Sequence, residues 1–313
     1  MSYVLYRLAT AVVVLFGVSL VTFGFVHATP GDPAETILIE QTGQQPSSEA
    51  VEEFREAEGM NDPVHHQYVD WVTGAVHGDL GQSYFSDAEV SSLILDDLYN
   101  TLELAVASIL VALVIAVPTG IASAIHQGQP IDVTSQIGAL IGVSMPNFWL
   151  GYLLIIVFAL NLNMFPVAGS GGLEHLILPA IALGTGMAAI VTRLVRTSML
   201  EVIDQEYIDT ARSKGLKERI VVYKHALRNA LIPVVTVVGL QLGFVLNGAV
   251  VIEIVFQRPG LGNLLVDAIF ARNYPVVQGV VLVAAVTFVV SNLLVDLSYR
   301  YLDPRIKLGE SQQ

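Results

Sequence analysis

Residues 8–31 contain no Asp, Glu, Lys or Arg, and the same holds over residues 104–131, 133–173, 175–192, 229–252 and 273–295. A helix needs about 20 predominantly apolar residues to cross the hydrocarbon layer of a bilayer. Lipid offers the backbone no hydrogen-bond partners, so a spanning segment must close its own bonds as a helix or as part of a closed barrel. Only 14% of the chain is charged and 53% is hydrophobic, whereas a soluble domain carries about 25% charged residues. The absence of cysteine excludes disulfides, Cys-ligated zinc and thiol catalysis. The chain reads as an all-α integral membrane protein with six transmembrane helices.

The first block is longer than the roughly 7–15-residue apolar core of a signal peptide. The residues around His27-Ala28-Thr29-Pro30 also make a poor small-residue cleavage site. Residues 1–28 are therefore predicted to be the N-terminus and a retained first span. The other spans are expected at about 101–125, 134–160, 176–198, 231–252 and 276–298. Pro118 falls inside the second, where neighbouring spans can re-satisfy the freed carbonyl. The block 133–173 is too long for one helix, and the Pro/Gly-rich run from Met164 to Gly172 cannot continue one, so the third span should end near Leu160. Arg193 and Arg196 are expected to snorkel from the fourth span to the interface. Gly138-x-x-x-Gly142 and Gly239-x-x-x-Gly243 have helix-contact spacing, read as general bundle packing.

Charge orders the chain across the membrane. Residues 29–98 hold 15 of the 28 acidic residues and one base, Arg55, a net −14 out of the total of −13. This segment is predicted to be a small extracytoplasmic domain between spans 1 and 2, with helices near 49–58 and 67–76. Residues 99–313 form the remaining core. Arg7, the bases from Arg193 to Arg228, and Arg300, Arg305 and Lys307 make twelve basic residues on one side, against Arg55, Arg258 and Arg272 on the other. By the positive-inside rule both termini and the loop 199–230 are cytoplasmic. The acidic excess is read first as the hydrated surface of a protein from a high-salt organism, and second as a field that steers a cationic ligand or a basic protein patch.

The loop 199–230 has its own pattern. Asp204 suits a helix N-cap, Glu206 the first turn, and Gly215 the left-handed position after the last turn. Tyr207, Ile208 and Ala211 are predicted to share a face. A second helix from Glu218 would align Ile220, Tyr223 and Leu227 and run into the fifth span. An amphipathic loop held on anionic lipid is the commoner reading of such composition, but it requires neither the glycine turn nor so compact a helix.

This loop resembles the coupling loop of binding-protein-dependent ABC importer permeases, whose general pattern is Glu-Ala-Ala, three residues, Gly, nine residues, Ile-x-Leu-Pro. Asp209-Thr210-Ala211 and Gly215 match in spacing, while His225 and Arg228 replace the Ile and the Pro. The departures resemble the dipeptide/oligopeptide/nickel branch: Tyr207, Thr210, Ala211, Arg212, Lys214 and Gly215, then His225-Ala-Leu227-Arg228-Asn229-Ala-Leu-x-Pro233. Thr29-Pro-Gly-Asp-Pro-Ala34, Gly78-Asp-Leu-Gly-Gln-Ser83, Pro146-x-Phe148-x-x-Gly151, Glu253-x-x-Phe256-x-x-Pro259-Gly-Leu-Gly262 and Asp303-Pro-Arg305 extend the likeness over nearly the whole chain. The resemblance implies a pore-forming subunit for di- or oligopeptides, paired with a second permease subunit. Two ATP-binding cassette subunits would grip the coupling helix, and an extracytoplasmic substrate-binding protein would deliver the solute. Tyr207, Asp209, Thr210, Ala211, Arg212, Lys214 and Gly215 would serve ATPase coupling, and His225, Leu227, Arg228, Asn229 and Pro233 would carry the motion into span 5. ATP and Mg would sit in the partners. No Gly-Lys dipeptide occurs, so no Walker-type phosphate loop is present in this chain. No nucleic acid is expected. Nickel, an oligosaccharide or another small solute is the alternative cargo.

An intramembrane enzyme is the alternative class, but no His-Glu-x-x-His motif, paired Asp or Ser/His pair at membrane depth is visible. His65, His66 and His77 near acidic residues read as a solvated acidic surface before a metal site. Glu103, Glu253 and Asp296 are expected to reach water at span ends. Asn147, Gln241 and Asn247 either line a path or bond between helices.

Overall fold

The computed structural model describes residues 2–28, 31–86 and 88–302, with side chains from Leu5 to Val295 inside that range. Thr29, Pro30, the side chains of Asp296 and Arg300, and the closing Asp303-Pro-Arg305 motif lie outside the described residues. The described chain is helical: α1 (Ser2–Ala28), α2 (Pro33–Thr42), α3 (Ser48–Ala57), α4 (Val64–Val76), α5 (Val90–Ile125), α6 (Pro130–Ser144), α7 (Asn147–Leu154), α8 (Leu173–Ile203), α9 (Glu206–Ser213), α10 (Glu218–Ile220), α11 (Leu227–Val255), α12 (Leu261–Phe270) and α13 (Tyr274–Leu302). A lone antiparallel bridge pairs Gln82 with Glu89. Among the described residues five helical stretches are long and apolar enough to cross a membrane: α1, α5, α8, the run of α10 into α11, and α13.

The expected third span, 134–160, departs from a single rod. It is α6 and α7 meeting at a 104° bend. Met145 is extended (ψ 123°) and Pro146 follows it. Proline pushes its predecessor out of the helical region and lacks the N–H a continuing helix would use. Past Leu154 the helix widens into π-type turns over Ile155–Asn161 before it ends, close to the expected Leu160.

The chain divides into two compact units, Met1–Asn100 with Pro259–Val290, and Thr101–Arg258 with the segment from Ser291 onward. In the first, Leu80, Val90, Ile94, Leu261, Ala268, Val276 and Val280 form a core. A Cβ on Gly279 of α13 would lie 2.7 Å from Val90 and 2.9 Å from Ile94 of α5, so the missing side chain is what lets these helices approach. The acidic segment belongs to this unit. Asp32 caps α2 by accepting from the Ala34 amide, and Ser47 caps α3 through the Ala50 amide. Phe23, Tyr68 and Trp71 cluster between α1 and α4, with centroids 5.2–6.3 Å apart. Asn273 donates to the Ser83 hydroxyl (2.7 Å) and accepts from the Tyr84 amide (3.3 Å). The exposed His65 and His66 rings only pack edge to face, and no group of three potential metal ligands gathers among the described residues.

In the second unit α8 is the axis. Fifteen of its residues are buried, among them Leu183, Val191, Val195 and Met199, and they join Ala112, Ile155, Val221, Val234 and Ile252 in one core. Small residues set the spacing here too. A Cβ on Gly184 would fall 2.5 Å from the Ser108 carbonyl oxygen, and one on Gly120 would fall 2.8 Å from that of Thr192. Of the spaced pairs singled out in the sequence, Gly138 faces open space, Gly142 touches Ala189 at 3.3 Å, and Gly239 meets Val295 at 2.7 Å.

Candidate functional site: the coupling loop and the buried charges behind it

Helix α9 covers Glu206–Ser213, so it starts later than an Asp204 cap would place it. Asp204 ends α8 instead, and Gln205 takes the N-cap position without a side-chain bond. The first turn still carries Glu206 and Asp209, which complement the positive end of the helix. At the far end Gly215 adopts φ +77°, and its amide donates to the Arg212 carbonyl at 2.9 Å. This left-handed stop is the one the glycine predicts.

The face of α9 differs from expectation in one residue. Ile208 and Ala211 are buried as predicted, but Tyr207 is 42% exposed. Its hydroxyl accepts from the Asn229 side chain at 2.7 Å, which ties α9 to the first turn of α11. Asp209, Thr210, Arg212, Lys214 and Gly215 are all exposed. Arg212 pairs with Asp209 (3.2 Å) and with Glu218 (2.9 Å), fastening α9 to α10. The hydrogen-bonded Glu218 carboxylate raises the Arg212 pKa, with burial opposing it.

The link into α11 is not the regular helix expected from Glu218. Val221–Ala226 forms a π-type turn. The wider i→i+5 bonding rotates the surface relative to a 3.6-residue period. Val221, Val222 and Ala226 are buried, and the predicted face of Ile220 and Tyr223 is exposed, with Leu227 only partly buried. Ile208 and Ala211 of α9 share a core with these three residues and with Met199 of α8. His225 is half-buried in this turn, Arg228 and Pro233 are exposed, and Asn229 bonds to Tyr207. The residues proposed for coupling are therefore brought together on one short segment, with an apolar inner face and a polar outer one.

Two buried charge networks were not anticipated. Arg196 does not snorkel. Its Nε and Nη2 donate to the two oxygens of Asp132 at 2.7 and 2.9 Å. Asp132 also accepts from Ser123 Oγ (2.6 Å), the Gly128 amide (2.9 Å) and Gln136 Nε2 (2.9 Å). One carboxylate thus joins the end of α5, the start of α6 and the middle of α8. In the first half of α5, Arg258 pairs with Glu103, and Thr101 donates to Glu253 at 2.6 Å. Glu253 and Arg258 are 0% and 2% exposed, which corrects the expectation that Glu253 reaches water. Asn147, Gln241 and Asn247 make no side-chain hydrogen bond among the described residues. Asn147 instead lies beside Gly186 of α8 and Gly248 of α11.

Long apolar helices around an α8 axis and a short amphipathic helix that leads through a turn into a further span define the membrane-embedded permease class of ABC transporter. The chain belongs to the binding-protein-dependent transport system inner membrane component family. That family matches residues 116–308, and its N-terminal counterpart matches residues 1–105. The chain is similar to the glutathione transport system permease protein of Escherichia coli O6:H1, at 41% identity over 98% of this chain and 99% of the relative. It is 42% identical to the dipeptide transport system permease protein of Alkalihalophilus pseudofirmus and 40% identical to the oligopeptide transport system permease protein of Bacillus subtilis, with the same coverage. Among solved structures, an inward-facing methionine ABC transporter shares the fold with a TM-score of 0.57 at 22% identity, over 67% of this chain and 96% of that one. The chain is a multi-pass permease component, not an enzyme.

Proposed function

We propose that this subunit forms half of the path by which an ABC importer brings short peptides into the cell, with a second permease subunit forming the other half. The observation that carries the cargo is that three relatives aligned almost end to end are named for glutathione, dipeptide and oligopeptide transport. A strain lacking the gene should lose uptake of labelled di- and tripeptides and keep normal nickel uptake; unchanged peptide uptake would refute the cargo.

An extracytoplasmic binding protein delivers the peptide, and two ATP-binding cassette subunits hold ATP and Mg. They dock on the polar face of α9, at Asp209, Thr210, Arg212, Lys214 and Gly215. Ile208 and Ala211 pass the movement to the turn at Val221–Ala226 and so to α11. The burial of one face of α9 and the exposure of the other support this reading. Both termini and this loop face the cytoplasm, a side supported by the distribution of basic residues. Alkaline phosphatase fused after Lys217 should be inactive, and fused after Asn61 active; the reverse would invert the topology.

A further inference from the structure

The unit built from residues 1–100 and 259–290 holds a cavity of about 770 Å³, inside the roughly 300–1,000 Å³ range of small-molecule sites. Trp71, Tyr84 and Tyr274 supply aromatic wall, Asp62 and Asp70 supply carboxylates, and Gln278 supplies an amide. Gln278 is only 7% exposed, yet its side chain has no hydrogen-bond partner among the described residues. Its amide atoms are open to the cavity, where a ligand that brings both a donor and an acceptor can pair with them. The Trp71 indole N–H, by contrast, is buried and without an acceptor, whereas buried polar groups are as a rule paired.

The charge is equally specific. The only base of the acidic segment, Arg55, is committed to Asp32 and Glu52. Asp62 and Asp70 are exposed and have neither an ion pair nor a side-chain hydrogen bond. Asp32, Glu58, Asp62, Asp70 and Asp79 line the cavity against the paired Arg55; an excess of one sign in a concave site concentrates the opposite sign, and aromatic faces attract ammonium groups as well as apolar side chains. Burial, with the nearby Glu58 charge adding to it, pushes the Tyr84 phenol pKa up, so this wall stays neutral.

We propose that this cavity binds the free amino end of a short peptide: the ammonium at Asp62 and Asp70, the first peptide amide at Gln278, and the side chain against Trp71 and Tyr84. The choice of peptide over another primary amine rests on the cargo reading above; the site itself does not depend on how α9 works.

The test is equilibrium dialysis of labelled leucyl-alanine against the purified transporter complex without its binding protein. Binding should be saturable, and about tenfold weaker for the N-acetylated peptide, for the Asp62→Asn/Asp70→Asn double variant and for Gln278→Leu. The double variant changes only exposed side chains, so the result stands even where Gln278→Leu fails to fold. Absence of saturable binding up to about 10 mM, beyond weak specific affinity, would overturn the proposal, as would equal binding of the acetylated peptide. Phosphoethanolamine competing as well as the peptide would assign the site to a lipid headgroup and also overturn it. Peptide binding here combined with undiminished peptide uptake in the deletion strain would defeat the cargo reading alone.

Discussion

Asp132 and Arg196 show at the scale of single residues why a buried ion pair hides from sequence. Each looks like an ordinary interfacial charge, 64 positions apart, and nothing in composition or period pairs them. Glu103 and Arg258 are 155 apart. A charge buried in an apolar bundle is tolerated only when paired and hydrogen-bonded, and Asp132 accepts five such bonds. Arg196→Met should therefore lower the unfolding midpoint of the detergent-solubilised subunit markedly. Arg196→Lys should do so less, since it keeps the charge and gives up only the two-pronged geometry. Equal midpoints for wild type and Arg196→Met would remove the network from any stabilising role. Glycines divide in the same way. Gly184→Ala must push a methyl into the Ser108 carbonyl, costing about 1–3 kcal/mol or more, whereas Gly138→Ala meets nothing within 4 Å and should be neutral or slightly stabilising. Thermal melts of the two variants read the difference directly.

At the scale of elements, the apolar blocks coincide with helices long and apolar enough to cross a membrane, because the bilayer constrains length and charge so strongly. The breaks were harder to read. Pro146 is the signal that splits the third span, but the apolar run on both sides of it conceals a bend. The π-type turn at Val221–Ala226 leaves no compositional mark, and it rotates the face predicted from Ile220 and Tyr223. Gly215 was legible because a left-handed stop needs a residue without a Cβ. Gly215→Ala should cost only about 1 kcal/mol at this φ. Gly215→Pro removes the N–H that donates to Arg212 and fixes φ near −65°, so it should abolish transport while the protein still inserts. Normal solute uptake by Gly215→Pro would sink the role given to this turn.

At the scale of the whole molecule, six apolar blocks and an ordered series of motifs made the class of protein readable before any fold was known. In α5 the division at Asn100/Thr101 falls close to a shift in composition, between Asp96-Asp97 and the charge-free run from Leu104; the return of 259–290 to the first unit was not readable, because the apolar α13 runs through residue 290 without such a shift. The acidic segment, expected as a small extracytoplasmic domain between spans 1 and 2, falls in one unit with α1, α12 and part of α13. Long-range pairing of this kind is set by contacts between distant helices, which local pattern does not encode.

The polar face of α9 is the surface proposed to meet the ATPase. The chain has no cysteine, so a single introduced thiol reports one position. Thr210→Cys, exposed on α9, should crosslink through a short bifunctional reagent to the ATP-binding cassette subunit in membranes, in a transport-active complex. An Asn61→Cys variant should not. A Thr210→Cys complex that transports normally yet never crosslinks to the ATPase would contradict the account.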